Sequence, residues 1–214
     1  MNKDKAIAFG LISSILLGLN LFLNAPSVLA HHPSGGRIPR TFSEGFLSGL
    51  GHPVIGIDHL AFIIVIGLLA AFSSKLGMII PTVFVIATMV GTGIHVQGIE
   101  LPAAELVVSA SVLIMGIFLA QENHPSLVVL TILSAIAGIF HGYAYGESVV
   151  GAETMSLGAY LLGFCSIQLG ISAIAFNLGK RIINYPNKSS ILLRFAGFII
   201  SGIGCAFLAN LLLS

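Results

Sequence analysis

Gly51-His52-Pro53-Val54-Ile55-Gly56-Ile57-Asp58-His59, followed by the apolar run Leu60-Ala61-Phe62-Ile63-Ile64-Val65-Ile66, places two imidazoles and a carboxylate at the mouth of a segment otherwise fit for lipid. An acid at the centre of a membrane helix costs on the order of 2.5–3.5 kcal/mol, so such groups mark a pathway or a site. On a straight helix His52, Gly56 and His59 share one stripe, yet the two rings would lie roughly 10 Å apart along the axis. Pro53 and Gly56 supply the means to break that helix and bring His52 back toward Asp58 and His59.

The rest of the chain sets this stretch in a membrane. Of its 214 residues, 56% are hydrophobic and 8% charged, which excludes a water-soluble domain for most of its length. A net charge of +1 with scattered basic residues gives no footprint for nucleic acid. Cys165 and Cys205 stand alone in apolar runs without CxxC spacing, and read as packing residues.

Residues 1–30 read as a signal peptide: Lys3 and Lys5, an apolar stretch at 6–23, Pro26, and the small-residue ending Val28-Leu29-Ala30. Because the stretch is long for a signal, an uncleaved first span is the alternative. Six continuous apolar runs follow, at 55–72, 77–95, 102–120, 125–143, 153–176 and 191–213. Each is long enough to cross about 30 Å of hydrocarbon. The expected fold is therefore all-α, a polytopic bundle of six transmembrane helices, with residues 31–214 as one transmembrane domain.

An exported start puts Lys75, Lys180, Arg181, Lys188 and Arg194 inside and only Arg37 and Arg40 outside. The Lys/Arg excess on inner loops agrees with that orientation, which places the protein in the inner (plasma) membrane with both termini periplasmic. Glu100, Glu147 and Glu153 then make the outer face acidic.

In this topology His95 ends the second span, Glu105 begins the third, His141 ends the fourth and Glu147 lies just beyond it. With His52, Asp58 and His59 they describe a ring of imidazoles and carboxylates open to the outside. Imidazole with carboxylate suits nickel, cobalt or zinc better than calcium or magnesium. Ser134, Gly138, His141 and Tyr145 recur at helical spacing, so His141 should face a neighbouring helix. Gln168 reads as an interhelical hydrogen-bonding residue. Glu122 and His124 read as a solvated inner loop, with passage of an ion as the alternative.

His52-Pro53-x-x-Gly56-x-Asp58-His59, together with Phe140-His141-Gly142-Tyr143-Ala144-Tyr145-Gly146-Glu147, resembles the motifs of the HupE/UreJ family of nickel and cobalt permeases. The resemblance extends over essentially the whole mature chain. It implies that His52, Asp58 and His59 recognise the metal, that His141 and Glu147 form a second polar motif, and that the ion serves nickel or cobalt enzyme maturation. Family members commonly carry a Met shortly after the Asp-His pair; here Leu60-Ala61-Phe62-Ile63-Ile64 offers no thioether.

The expected activity is secondary transport of Ni2+ or Co2+ with no resident cofactor and no catalysis. No G-x-x-x-x-G-K-[ST] motif is present, so the driving force would be an ion gradient or the membrane potential. His31 and His32 could hold the arriving ion loosely. Three other readings remain: a b-type cytochrome ligated by His59, His95 and His141, a metal-binding accessory protein for enzyme assembly, and an intramembrane hydrolase, for which no nucleophile stands beside a base.

Overall fold

The computed structural model describes residues 38–73, 76–185 and 189–213. The expected signal peptide, His31, His32, Arg37, Lys75 and Lys188 lie outside them.

The first helix, α1 (Phe42–Ile55), starts where Thr41 caps it: the Thr41 hydroxyl accepts from the Glu44 amide at 3.2 Å, and the Glu44 carboxylate accepts from the Arg40 amide at 2.8 Å. The helix thus begins well before residue 55, where the apolar run was expected to start. It ends at Gly56, whose backbone is extended, and α2 (Ile57–Ala70) departs at 79°. Pro53 has no N–H to give the preceding turn, which weakens the ladder just before the bend. A Cβ on Gly56 would press on the His59 ring and the Asp58 carboxylate, so the bend needs a bare residue here.

The remaining runs form α3 (Ile79–Val96), α4 (Ala104–Ala120), α5 (Leu127–Gly146) with a 3-10 turn at Glu147–Val149, α6 (Thr154–Ile183) and α7 (Ser189–Leu213). Among the described residues there is no strand. Among the described residues four helices are long and apolar enough to cross a membrane, and the bent pair α1–α2 makes a fifth if it counts as one span. Helix α4 is equally apolar but has 17 residues.

Helix α2 is the axis of the bundle and touches every other α-helix. Its inner turns, including Phe62, Ile63, Val65, Ile66 and Leu69, are fully buried. Around it, α1 pairs with α6, α3 with α5, and α4 with α7. Each pair meets along a seam of small residues: a Cβ at Gly49 or Gly163, at Gly91 or Gly142, and at Gly116 or Gly197 would strike the facing backbone. In lipid, where apolar burial between helices gains little, such close approach carries association. The outward faces stay apolar, with Ile86, Val128, Leu162 and Ile174 exposed, as a lipid-facing surface requires.

Basic residues gather at one end. Lys180 Nζ donates to the Ser73 carbonyl at 2.7 Å, and Arg194 donates to the Ala120 carbonyl and to Glu122, each at 3.0 Å. They cover the C-terminal ends of α2 and α4, where orphan carbonyls and the helix dipole favour positive charge. His124 stacks on Phe72 at the same end, with ring centroids 3.7 Å apart. Partial burial pulls its pKa below the usual histidine value, opposed by a backbone hydrogen bond at Leu119.

Candidate functional site

At the opposite end the break between α1 and α2 turns His52 back over His59. Their ring centroids are 6.2 Å apart and nearly perpendicular, well inside the separation a straight helix would impose. His52, Asp58 and His59 are all buried. Asp58 Oδ1 accepts from the His59 amide at 2.8 Å, which holds one carboxylate oxygen against the first turn of α2.

His141 arrives from α5 and is fully buried. Its Nδ1 lies 2.8 Å from His59 Nδ1. Phe62 and Phe84 pack on its ring at 4.5 and 5.5 Å between centroids. The expectation that His141 faces a neighbouring helix is met through α2. Tyr145, one turn further along α5, lays its ring 5.0 Å from that of His52 and 4.4 Å from that of His59. The Tyr145 hydroxyl is buried without a hydrogen-bond partner among the described residues.

The hydroxyl groups around these rings decide which nitrogen carries a proton. Ser111 donates its one proton to the Val108 carbonyl at 2.7 Å, so at 3.0 Å from His141 Nε2 it accepts. His141 is then protonated at Nε2, and its Nδ1 accepts from His59 Nδ1–H. Likewise Ser148 and Tyr160 both donate to the Tyr145 carbonyl, at 3.0 and 3.1 Å. His52 Nδ1–H therefore donates to the Tyr160 oxygen at 2.8 Å, with the Ser148 oxygen 3.1 Å away. In this arrangement Nδ1 of both His52 and His59 is engaged within the protein, so coordination of a metal by either ring would run through Nε2.

The wider ring expected from the sequence does not assemble. Glu105 is exposed in the first turn of α4, and Glu147 is exposed because α5 gives way to the 3-10 turn there and presents Ser148 inward instead. His95 stands against Tyr143, 4.2 Å between centroids, with Nδ1 buried and unpartnered among the described residues. Among the described residues no three His, Cys, Asp or Glu side chains converge closely enough to enclose an ion. The inner cluster is thus His52, Asp58 and His59, with His141 behind them. Contact between the His59 and His141 rings also leaves no gap for a porphyrin between them, which disfavours that pair as axial haem ligands.

Tyr160, Ser148 and Ser111 were not singled out from the sequence. Serine and tyrosine in apolar runs look like ordinary helix residues. Gln168 departs from its expected role: both amide atoms are buried and neither has a hydrogen-bond partner among the described residues. An unsatisfied buried amide costs about 1–3 kcal/mol. Glu122, at the inner end, pairs with Arg194 at 3.0 Å.

The family model described as HupE / UreJ protein matches residues 19–207. A curated relative, Protein HupE of Rhizobium leguminosarum bv. viciae, is 28% identical over 170 residues, which cover 78% of this chain and 86% of that protein. No solved structure matches the chain. The family match takes in both the broken first helix with its His52, Asp58 and His59 cluster and the α5 segment that brings in His141, so the chain belongs to the HupE/UreJ family.

Proposed function

We propose that the protein carries a divalent transition-metal ion, nickel or cobalt, inward across the inner membrane, with both termini on the periplasmic side. Six crossings fit the six apolar helical units, counting the bent pair as one and α4 as another. The basic ring of Lys180, Arg181 and Arg194 then lies in the cytoplasm. The observation that carries the reading is the break at Gly56, which gathers two buried imidazoles and a carboxylate at the outer end of the central helix.

His52, His59 and Asp58 are the groups that meet the ion at this end; they do not close around it, so water makes up most of its shell. His141 orients His59, as the outer partner of a ligating histidine does. At about 100 mV, inside negative, a divalent ion gains roughly 4.6 kcal/mol on entry, so no nucleotide is required. Because the imidazoles must be neutral to bind, uptake should weaken as the outer solution is acidified. The family also gives weight to a metal-binding accessory role in enzyme assembly, in which the same residues hold the ion without moving it.

Competitive uptake of radioactive nickel decides between these readings. Cells expressing the protein should accumulate nickel, cobalt should compete, magnesium should not, and His59→Ala at matched membrane level should lose uptake. Equal accumulation with wild type, His59→Ala and empty cells would defeat the transport reading.

A further inference from the structure

On α6 the residues Tyr160, Phe164, Gln168 and Ser172 follow one another at every fourth position and are all fully buried. Tyr160 heads this stripe and hydrogen-bonds His52. Ser172 closes it and donates to the Ile63 carbonyl of α2 at 3.4 Å. Gln168, between them, is the member whose two amide atoms have no hydrogen-bond partner among the described residues.

The register of the helices locates this amide. Gly163 packs against the backbone of Phe46 and Leu50 in α1, while Ser172 meets Ile63 and Gly67 in α2. Gln168 therefore stands level with the stretch between Leu50 and Ile63, where the chain bends by 79° at Gly56. It lies two turns, about 12 Å, inward of Tyr160. Non-helical backbone at membrane depth is tolerated where it lines a polar cavity, and broken helices of this kind build ion sites in transport proteins. Two independent features, an interrupted helix and an orphaned amide, thus meet at one depth.

We propose that Gln168 forms a second station for a partly hydrated divalent cation beside the bend, which it exchanges with His52 and His59. The amide oxygen accepts from the waters the cation retains or ligates it directly, and the amide N–H groups hold further water. A neutral amide binds such an ion more weakly than imidazole does. The ion therefore pauses there without being trapped. Inward of Gln168 the next polar group on the stripe is the Ser172 hydroxyl, and the basic end of the bundle lies beyond it. This station rests on the carrier reading, since an accessory protein that only holds an ion has no use for it.

The test uses Gln168→Leu and wild type, each purified as the full chain and reconstituted in liposomes, with nickel as the probe. The proposal expects the maximal uptake rate to fall about tenfold or more, while equilibrium nickel affinity stays within about twofold and thermal stability is unchanged or higher. A wild-type rate in a variant of raised stability would overturn it, showing an amide that is merely unsatisfied. Joint loss of affinity and stability would also overturn it, by making Gln168 a packing residue. Hydration is read without transport: Gln168→Cys, in a chain with Cys165→Ser and Cys205→Ser, should react with a hydrophilic thiol reagent and be protected by nickel. An unreactive thiol means a dry core and ends the proposal. Absence of nickel uptake by wild type would instead sink the carrier reading, whatever the thiol shows.

Discussion

At the end where it meets α1, α2 opens with Asp58 and His59, held by hydrogen bonds to its own first turn and to His141, whereas from Ala61 to Ala70 the same helix is almost wholly buried hydrocarbon. The outer turn concentrates ionisable groups that cost stability in lipid; the inner turns touch the surrounding helices and hold the bundle together. A central helix divided in this way keeps its polar groups on one end and its packing on the other. Substitutions should therefore separate the two.

The largest effect is expected at the outer end. His52→Ala removes one of the two imidazoles and should reduce nickel uptake about 100-fold or more, while the amount of folded protein in the membrane, followed by detergent-extracted size-exclusion profiles, stays close to wild type. Leu69→Ala at the inner end should do the reverse. It empties a fully buried site and costs about 2–5 kcal/mol, so folded protein falls while uptake per folded molecule is kept. If both variants lost uptake and folding together, the division would not hold.

A smaller effect is expected where the polar end is positioned by its neighbours. Tyr160→Phe keeps the ring that packs against Phe164 yet removes the oxygen that accepts from His52. Nickel affinity should weaken about tenfold with little change in melting temperature. In histidine-labelled wild type, nitrogen NMR should find His52 protonated at Nδ1, and in Tyr160→Phe a mixture of tautomers. An unaltered nitrogen spectrum would show that Tyr160 does not set the ring.

The smallest effect belongs to the basic end. His124 has a lowered pKa because partial burial against Phe72 penalises its charged form. Unfolded chains bind that proton more readily, so the stability His124 contributes is present above about pH 6.5 and lost as pH falls toward its folded value. His124→Phe, which keeps the stack, should flatten the acid side of a melting-temperature profile slightly. An identical profile for both proteins would remove His124 from the account.

Much of this architecture was legible in the residues. Each of the six apolar runs holds a helix because nothing else satisfies a backbone in lipid, but α1 adds a seventh helix and, among the described residues, four or five spans are long and apolar enough to cross. Pro53 and Gly56 marked the bend because one lacks a donor and the other a side chain. The beginning of α1 at Phe42 was missed because Ser43, Glu44, Ser48 and His52 interrupt its hydrophobicity, and a span was read only where that interruption stops. Charge and depth alone put His95, Glu105 and Glu147 in the ring; which way each side chain turns depends on packing and on the 3-10 turn after α5. Ser111, Ser148 and Tyr160 were illegible for another reason. Membrane serines commonly return their proton to a carbonyl on their own helix, as Ser111 does, and that habit hides the second contact each oxygen makes.

X-ray absorption at the nickel edge of the purified, nickel-loaded protein tests the central claim most directly. The account predicts a shell of nitrogen and oxygen atoms at about 2.0–2.1 Å with the outer scattering of two imidazoles, reduced to one in His59→Ala, and no sulfur at about 2.3 Å. A shell of water alone, a sulfur ligand, or a spectrum unmoved by His59→Ala would contradict it.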